Sequence, residues 1–180
     1  YPASFWFNEA EVYFHTSDGR PPESHDMGMT GATAGITLWR TDVTVRGIRF
    51  RNFLAWRWSA GVEIRGARGV AEDCFASNCV RGFQIMMEAP NTRVIRCRTE
   101  DCAGGYYSQG RHSVVEDCRF NKVRDGFMIP SYPQDDCGIQ FYSRAFEGEV
   151  RRNVLKGFAN GIFMKCQDSK WICEHNTCLD

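Results

Sequence analysis

Five residues in the second half of the chain carry groups that can do chemistry together: Asp135, Asp136, Tyr142, Arg144 and Lys165. A carboxylate pair, a phenol, a guanidinium and an amine are the parts of two reactions on sugar polymers that bear acid groups. In β-elimination a base removes the proton beside a carboxylate, and a cation neutralises that carboxylate so that the proton can leave. Lys165 or Tyr142 is the candidate base, given neighbouring cations that depress its pKa. Arg144 or Arg65 is the candidate two-pronged clamp on the carboxylate. Ca²⁺ held by Asp135 and Asp136 is the alternative source of positive charge, and no other cofactor is required. Hydrolysis would instead use two carboxyl groups, one of them protonated. Asp135 and Asp136 are the candidates for that role, with Glu63 or Glu174 as partners.

Such groups act only if the fold brings them to one place, and the fold is written in a repeat. Glycines followed by alternating apolar residues recur as GITLWR from Gly35, GVEIRG from Gly61, GFQIMM from Gly82, GYYSQG from Gly105, GFMIPS from Gly126, GIQFYS from Gly138 and GIFMKC from Gly161. Most starts lie 21 to 26 residues apart. Between them runs a second short motif, VRGIRF, AEDCFA, VIRCRT, VEDCRF, VRRNVL and CEHNTC, with aligned centres at Ile48, Cys74, Cys97, Cys118, Asn153 and Asn176. The step from centre to next glycine is eight residues at Cys74, Cys97, Cys118 and Asn153.

Short strands with Gly and Asn turns at this period mark a solenoid. The leucine ladder of leucine-rich repeats is missing, and helical repeats are longer with a 3.6-residue pattern. The remaining solution is a parallel β-helix of about six coils, stacked at the spacing of neighbouring strands, about 4.8 Å. Over roughly residues 35–180 the chain resembles the right-handed parallel β-helix proteins of the pectin-lyase-like superfamily. That resemblance implies an all-β fold, a bacterial carbohydrate-active protein, a polysaccharide partner, and a secreted, periplasmic or cell-surface location.

Residues 1–34 do not follow the repeat. FWFNEAEVYFHT reads as a β-hairpin, similar to the aromatic hairpins that precede later coils in many bacterial β-helix proteins, and it is expected to cover the side or rim of the helix. His25-Asp26 in the following loop reads as solvated polar sequence rather than a metal site. The abrupt start and finish suggest the interior of a longer protein.

The 22 basic and 22 acidic residues balance, which argues against a nucleic-acid partner, and no run is apolar enough to span a membrane. Nine cysteines without zinc-ligand spacing fit the repeat instead. Cys74, Cys97 and Cys118 stack on one ladder, Cys79 and Cys102 on another, as small buried hydrophobes. Stacked positions are close enough that disulfides remain an alternative.

Alternation sorts each first strand into inward and outward residues. Ile36 and Leu38, Val62 and Ile64, Phe83 and Ile85, Ile139 and Phe141, and Ile162 and Met164 should point inward. The outward residues form two rows. One reads Thr37, Glu63, Gln84, Tyr107, Gln140, Phe163, and the next Trp39, Arg65, Met86, Gln109, Tyr142, Lys165. Aromatic rings stack on the C–H faces of sugars, and amides and charges bond hydroxyls. Trp39, Glu63, Arg65, Gln84, Tyr107, Gln109 and Gln140 are therefore the candidate substrate-binding residues.

Between Cys118 and Asn153 the coil is too long by 12 residues. The excess contains PSYPQDDC and reads as a loop thrown out beside the rows, inserted around residues 130–137. Asp135 and Asp136 would then face Tyr142, Arg144 and Lys165. The DDC followed by a strand resembles a segment of β-helix polygalacturonases, and NGIFMK loosely resembles their later lysine motif, though FMK stands where RxK is expected and their NxD and GHG motifs are absent. Lys165 at the end of a coil strand is similar to the lysine base of β-helix alginate and chondroitin lyases. The resemblance thus implies a polysaccharide lyase or glycoside hydrolase, and a non-catalytic carbohydrate-binding or adhesin-like module is the alternative.

Overall fold

The computed structural model describes residues 4–7, 12–15, 33–54, 58–122, 136–143, 145–166 and 170–180. Two strands at the start, β1 (Ser4–Phe7) and β2 (Val12–His15), pair antiparallel as the expected hairpin. The other eighteen strands form three parallel six-stranded sheets. The first sheet contains β3 (Ala34–Leu38), β6 (Ala60–Ile64), β9 (Arg81–Ile85), β12 (Gly104–Ser108), β15 (Cys137–Ser143) and β18 (Asn160–Cys166). The second contains β4 (Thr44–Arg46), β7 (Val70–Glu72), β10 (Arg93–Ile95), β13 (Ser113–Glu116), β16 (Gly148–Arg151) and β19 (Trp171–Glu174). The third contains β5 (Arg49–Arg51), β8 (Phe75–Ser77), β11 (Arg98–Glu100), β14 (Arg119–Asn121), β17 (Val154–Lys156) and β20 (Thr177–Leu179). The chain visits the sheets in that order on every coil. It builds six three-strand rungs joined by five full turns, close to the expected coil number.

The glycines of the repeat stack on one another at the corner where the first sheet begins, and their lack of a side chain is required there. A Cβ on Gly105 would sit 2.5 Å from the carbonyl oxygen of Gly138 and 2.5 Å from the Phe120 ring. Gly138, not Gly126, is the glycine stacked above Gly105, because β15 pairs with β12 through Ile139 and Tyr106. Gly126 lies outside the described residues. The corner between second and third sheets turns through one left-handed residue per coil, at Gly47, Asp73, Arg96, Asp117, Arg152 and His175.

The core is filled by the inward residues of all three sheets. Leu38, Val62, Ile64, Phe83, Ile85, Ile139 and Phe141 are buried as alternation predicts. Ile36 and Ile162 are half-buried against the core, and Met164 is 37% exposed.

All nine cysteines are free thiols. Cys74, Cys97 and Cys118 are buried in a ladder, each Sγ donating to a carbonyl of its own turn (Glu72, Ile95 and Glu116) at 3.2–3.3 Å. The thiols of Cys74 and Cys97 are pushed well above their usual pKa, first by the neighbouring thiol of the ladder and then by burial. Asn153 and Asn176 continue the ladder with stronger bonds. The Oδ1 of Asn153 accepts the Cys118 N–H at 3.0 Å, and its Nδ2 donates to the Val115 carbonyl at 3.0 Å and to Asn176 Oδ1 at 3.0 Å.

Outside the same corner, charge alternates from coil to coil. Arg46 binds Glu72. Glu72 and Asp73 both receive Arg96, and Glu116 and Asp117 both receive Arg152. Arg151 meets Glu174 at 3.1 Å. Hydrogen bonds from Arg46 and Arg96 hold the Glu72 carboxyl below its ordinary pKa, and Arg152 does the same for Asp117. Such exposed pairs are individually weak, so they serve register more than stability.

Two outcomes follow. Asn153→Ala should lower stability by about 2–4 kcal/mol in urea unfolding, because it strands the buried Cys118 N–H and Val115 carbonyl on the preceding coil and removes the bond to the Asn176 amide on the next. Alkylation of the native protein followed by mass spectrometry should label exposed Cys173 and Cys178 first, with Cys74, Cys79, Cys97, Cys102, Cys118 and Cys137 labelled only after unfolding.

Candidate functional site on the first sheet

The two outward rows of the first sheet have opposite fates. In the row of Thr37 and its equivalents, Glu63, Gln84, Tyr107 and Gln140 are 7%, 1%, 2% and 4% exposed. The expected open platform at these four residues is therefore corrected: they are sealed. Glu63 and Gln84 bond each other and the arginines beside them. Arg81 Nη1 donates to Gln84 Oε1 at 3.1 Å, Gln84 Nε2 donates to Glu63 Oε2 at 3.4 Å and approaches Met86 Sδ at 3.1 Å, and Arg65 Nε donates to Glu63 Oε1 at 2.5 Å. The Arg81 guanidinium also lies 4.0 Å from the Tyr107 ring centre and 4.4 Å from that of Trp58, which meets Tyr107 edge-on at 5.7 Å. Sequence reasoning missed Arg81 and Trp58. Arg81 stands at the head of its strand, and the alternation count began at the glycine after it.

The second row stays accessible. Trp39 is 66% exposed, with the Arg65 guanidinium 4.6 Å from its ring centre. Arg65 is held from below by Glu63 and from the side by Glu88 at 3.0 Å. Burial draws its pKa down, but the two carboxylates outweigh that and hold it above its ordinary value. Met86, Gln109 and Tyr142 are half-buried, and Lys165 is exposed. Tyr142 and Lys165 are register partners on β15 and β18; the Lys165 ammonium lies 5.2 Å from the Tyr142 ring centre, and Tyr142 stacks on Tyr107 at 6.4 Å. Among the described residues no carboxylate pairs with Lys165.

The acid group does not join them. Asp136 sits just before β15, six positions from Tyr142 along one extended strand, which separates the two by roughly 20 Å. Its Oδ2 accepts from Lys122 Nζ at 2.5 Å, and its Oδ1 is buried without a hydrogen-bond partner among the described residues. The expectation that Asp136 faces Tyr142 and Lys165 is therefore corrected, because the strand between them runs straight. Asp136 is also a poor Ca²⁺ ligand, since the Lys122 ammonium already neutralises it. No cluster of three metal-ligating side chains occurs among the described residues. Glu63 is buried beneath Arg65, and Glu174 is on the second sheet bonded to Arg151, so neither completes a hydrolytic pair with Asp136. Asp135, Arg144, His25 and Asp26 lie outside the described residues.

A separate trough of about 510 Å³ opens at the corner between first and second sheets on the last three coils. His112, Glu147, Glu149, Lys170 and Ile172 line it, and His112 Nδ1 lies 3.3 Å from Glu147 Oε2. His112 and Glu147 are both left-handed turn residues, a signal that the strand motifs alone do not carry.

With three parallel sheets, a stacked glycine corner and an accessible outer row in place, comparison with known families is decisive. The right handed beta helix region matches residues 34–179. The chain belongs to the right-handed β-helix family. No curated protein and no solved structure matches it. The β-helix fold is compatible with carbohydrate-binding and polysaccharide-active proteins alike. No helix among the described residues is long and apolar enough to cross a membrane.

The sealed network generates its own prediction. Glu63→Ala should cost about 1–3 kcal/mol in urea unfolding, because it leaves Arg65 and the Gln84 amide without their acceptor. Glu63→Gln, which keeps an acceptor oxygen, should cost less.

Proposed function

We propose that this β-helix acts on an acidic polysaccharide laid along the accessible row of its first sheet. One observation carries the reading: the row from Trp39 to Lys165 stays open while the row beside it is sealed. Trp39 offers an indole face to the apolar side of a sugar ring, held in place by Arg65 behind it. Gln109 offers an amide to hydroxyls. Lys165, which pairs with no carboxylate among the described residues, offers a cation to the acid group of the sugar.

The reaction these groups can perform is β-elimination centred on Tyr142 and Lys165. One of the two takes the proton beside the carboxylate while the other steadies the charge that develops; the bond from the neighbouring carbon to the glycosidic oxygen then breaks, a carbon–carbon double bond forms, and the departing oxygen takes up the proton. Hydrolysis is the weaker reading, since it needs two facing carboxyl groups and the row carries none. A second reading, binding without turnover, draws on the distance between Asp136 and Lys165 and on the glutamates that occupy Arg65. It needs only the extended row.

The protein should be incubated with a panel of acidic and neutral polysaccharides and the products weighed by mass spectrometry. Unsaturated oligosaccharides, one water lighter than hydrolysis products, are expected. Lys165→Ala should then lower kcat/KM by about 10²-fold or more, while Trp39→Ala should weaken binding. Unchanged turnover in Lys165→Ala removes Lys165 from the reaction. Polymer binding without any product establishes the second reading.

A further inference from the structure

The outer face of the third sheet carries exposed cations that pair with no carboxylate among the described residues. Its strands are three residues long, and on the first five coils the centre is buried, so the first and third residues of each point outward. The first positions stack as Arg49, Phe75, Arg98 and Arg119, in register from coil to coil. The third positions run Arg51, Ser77, Glu100, Asn121 and Lys156. Four arginines and Lys156 thus share the face with a single carboxylate, Glu100, in a chain whose total charge is zero.

The contrast with the neighbouring corner is what makes this informative. There, arginine alternates with glutamate or aspartate, and Arg46, Arg96 and Arg152 all close ion pairs. Two residues further along the same coils, Arg98 stands directly beside Arg119, a like-charge pairing that costs stability. Among the described residues, Arg49, Arg51, Arg98, Arg119 and Lys156 form no ion pair. Arg49 has only the half-buried Phe75 ring, at 6.0 Å. The same fold that neutralises arginine on one face leaves it uncompensated on the next.

The geometry points to a second binding face here, for a linear anionic polysaccharide running along the helix axis with its carboxylate or sulfate groups on the arginines. At about 4.8 Å per coil, Arg49 to Arg119 spans roughly 14 Å and Arg51 to Lys156 roughly 19 Å, the reach of an oligosaccharide rather than of one sugar. Phe75 lies between the arginines as an apolar platform for a ring face. The interleaved Ser77, Glu100 and Asn121 choose the class of polymer. They bond hydroxyls, which a glycan carries on every unit, whereas Glu100 in the middle of the face repels an unbroken phosphate backbone. A nucleic acid also needs a stacking surface for each of several bases, and this face has one ring. The site stands apart from the row on the first sheet and does not depend on any turnover there.

The test is retention on an immobilised sulfated glycan, with elution followed against salt for the unaltered protein and two double variants. Arg98→Gln with Arg119→Gln should lower affinity about tenfold and make the log-affinity against log-salt plot shallower by about 2, one unit for each lost charge contact. It should leave the melting temperature unchanged or raised, since the two cations repel each other. Arg111→Gln with Lys170→Gln removes the same charge from the corner between first and second sheets and should leave elution as it was. Equal loss in both variants would reduce the effect to net charge and overturn the site. Unchanged elution in the Arg98 and Arg119 variant, with loss in Trp39→Ala instead, would overturn it in favour of the first sheet. Displacement by single-stranded DNA at lower charge concentration than by a soluble sulfated glycan would overturn the assignment of the ligand.

Discussion

Every coil of this protein is hydrogen-bonded to the next in register, so each residue lies one strand spacing from its own equivalent. Arg119 faces Arg98 and Val154, Gly138 faces Gly105 and Gly161, Asn153 faces Cys118 and Asn176. A side chain is therefore acceptable only if it tolerates the residue at the same position above and below. That constraint explains why the chain reads as vertical columns more than as a line. The glycine column exists because a carbonyl oxygen passes where a Cβ would be. The cysteine and asparagine column exists because small groups that donate inward and upward can repeat indefinitely without leaving a buried donor unpaired.

Charged columns meet the same constraint with less freedom, because like charges repel at this spacing. At the corner between second and third sheets the sign changes on successive coils, so each arginine meets acids above or below it. On the first sheet, Glu63 is placed between Arg65, on its own coil, and Gln84, on the next, and an otherwise costly buried carboxylate is satisfied from both directions. Among the described residues, Lys165 and the arginines of the third sheet do not follow the rule. Columns that break a rule obeyed elsewhere in the same fold are where a selective pressure other than folding is best sought.

The solenoid was legible in the sequence because columns impose spacing, and spacing survives in a linear reading. Eight residues from ladder centre to glycine is a geometric length, and it identified the coils correctly wherever no loop intervened. The insertion before Asp136 is instructive. The excess length was read correctly, and Gly138 proved to be the glycine in register, yet the position of Asp136 was not. Adjacency in sequence to Tyr142 suggested proximity, whereas six residues of extended strand are about 20 Å. The sealed row failed for a different reason. Alternation decides that Glu63, Gln84, Tyr107 and Gln140 point away from the core, but burial depends on what lies over them. Arg81, at a strand head, and Trp58, in the turn before β6, contribute to that layer and stand outside the alternating positions.

The difference between the two rows of the first sheet has an energetic basis. A polar group that faces outward can bond water, a ligand or a neighbour, and the neighbour wins when it is held at hydrogen-bond distance by the same backbone ladder, since little further ordering is needed. Arg81, Gln84, Glu63 and Arg65 form such a chain across two neighbouring coils. Its effect is to turn adaptable side chains into a fixed floor. The Arg65 guanidinium at the end of that chain is held against Trp39, so the most exposed large apolar residue on the sheet is backed by a rigid support rather than free to collapse onto the surface. A ligand that stacks on Trp39 then loses little to ordering the protein. The sealed row contributes to recognition without touching the ligand, by holding the open row in a shape that a polymer can read.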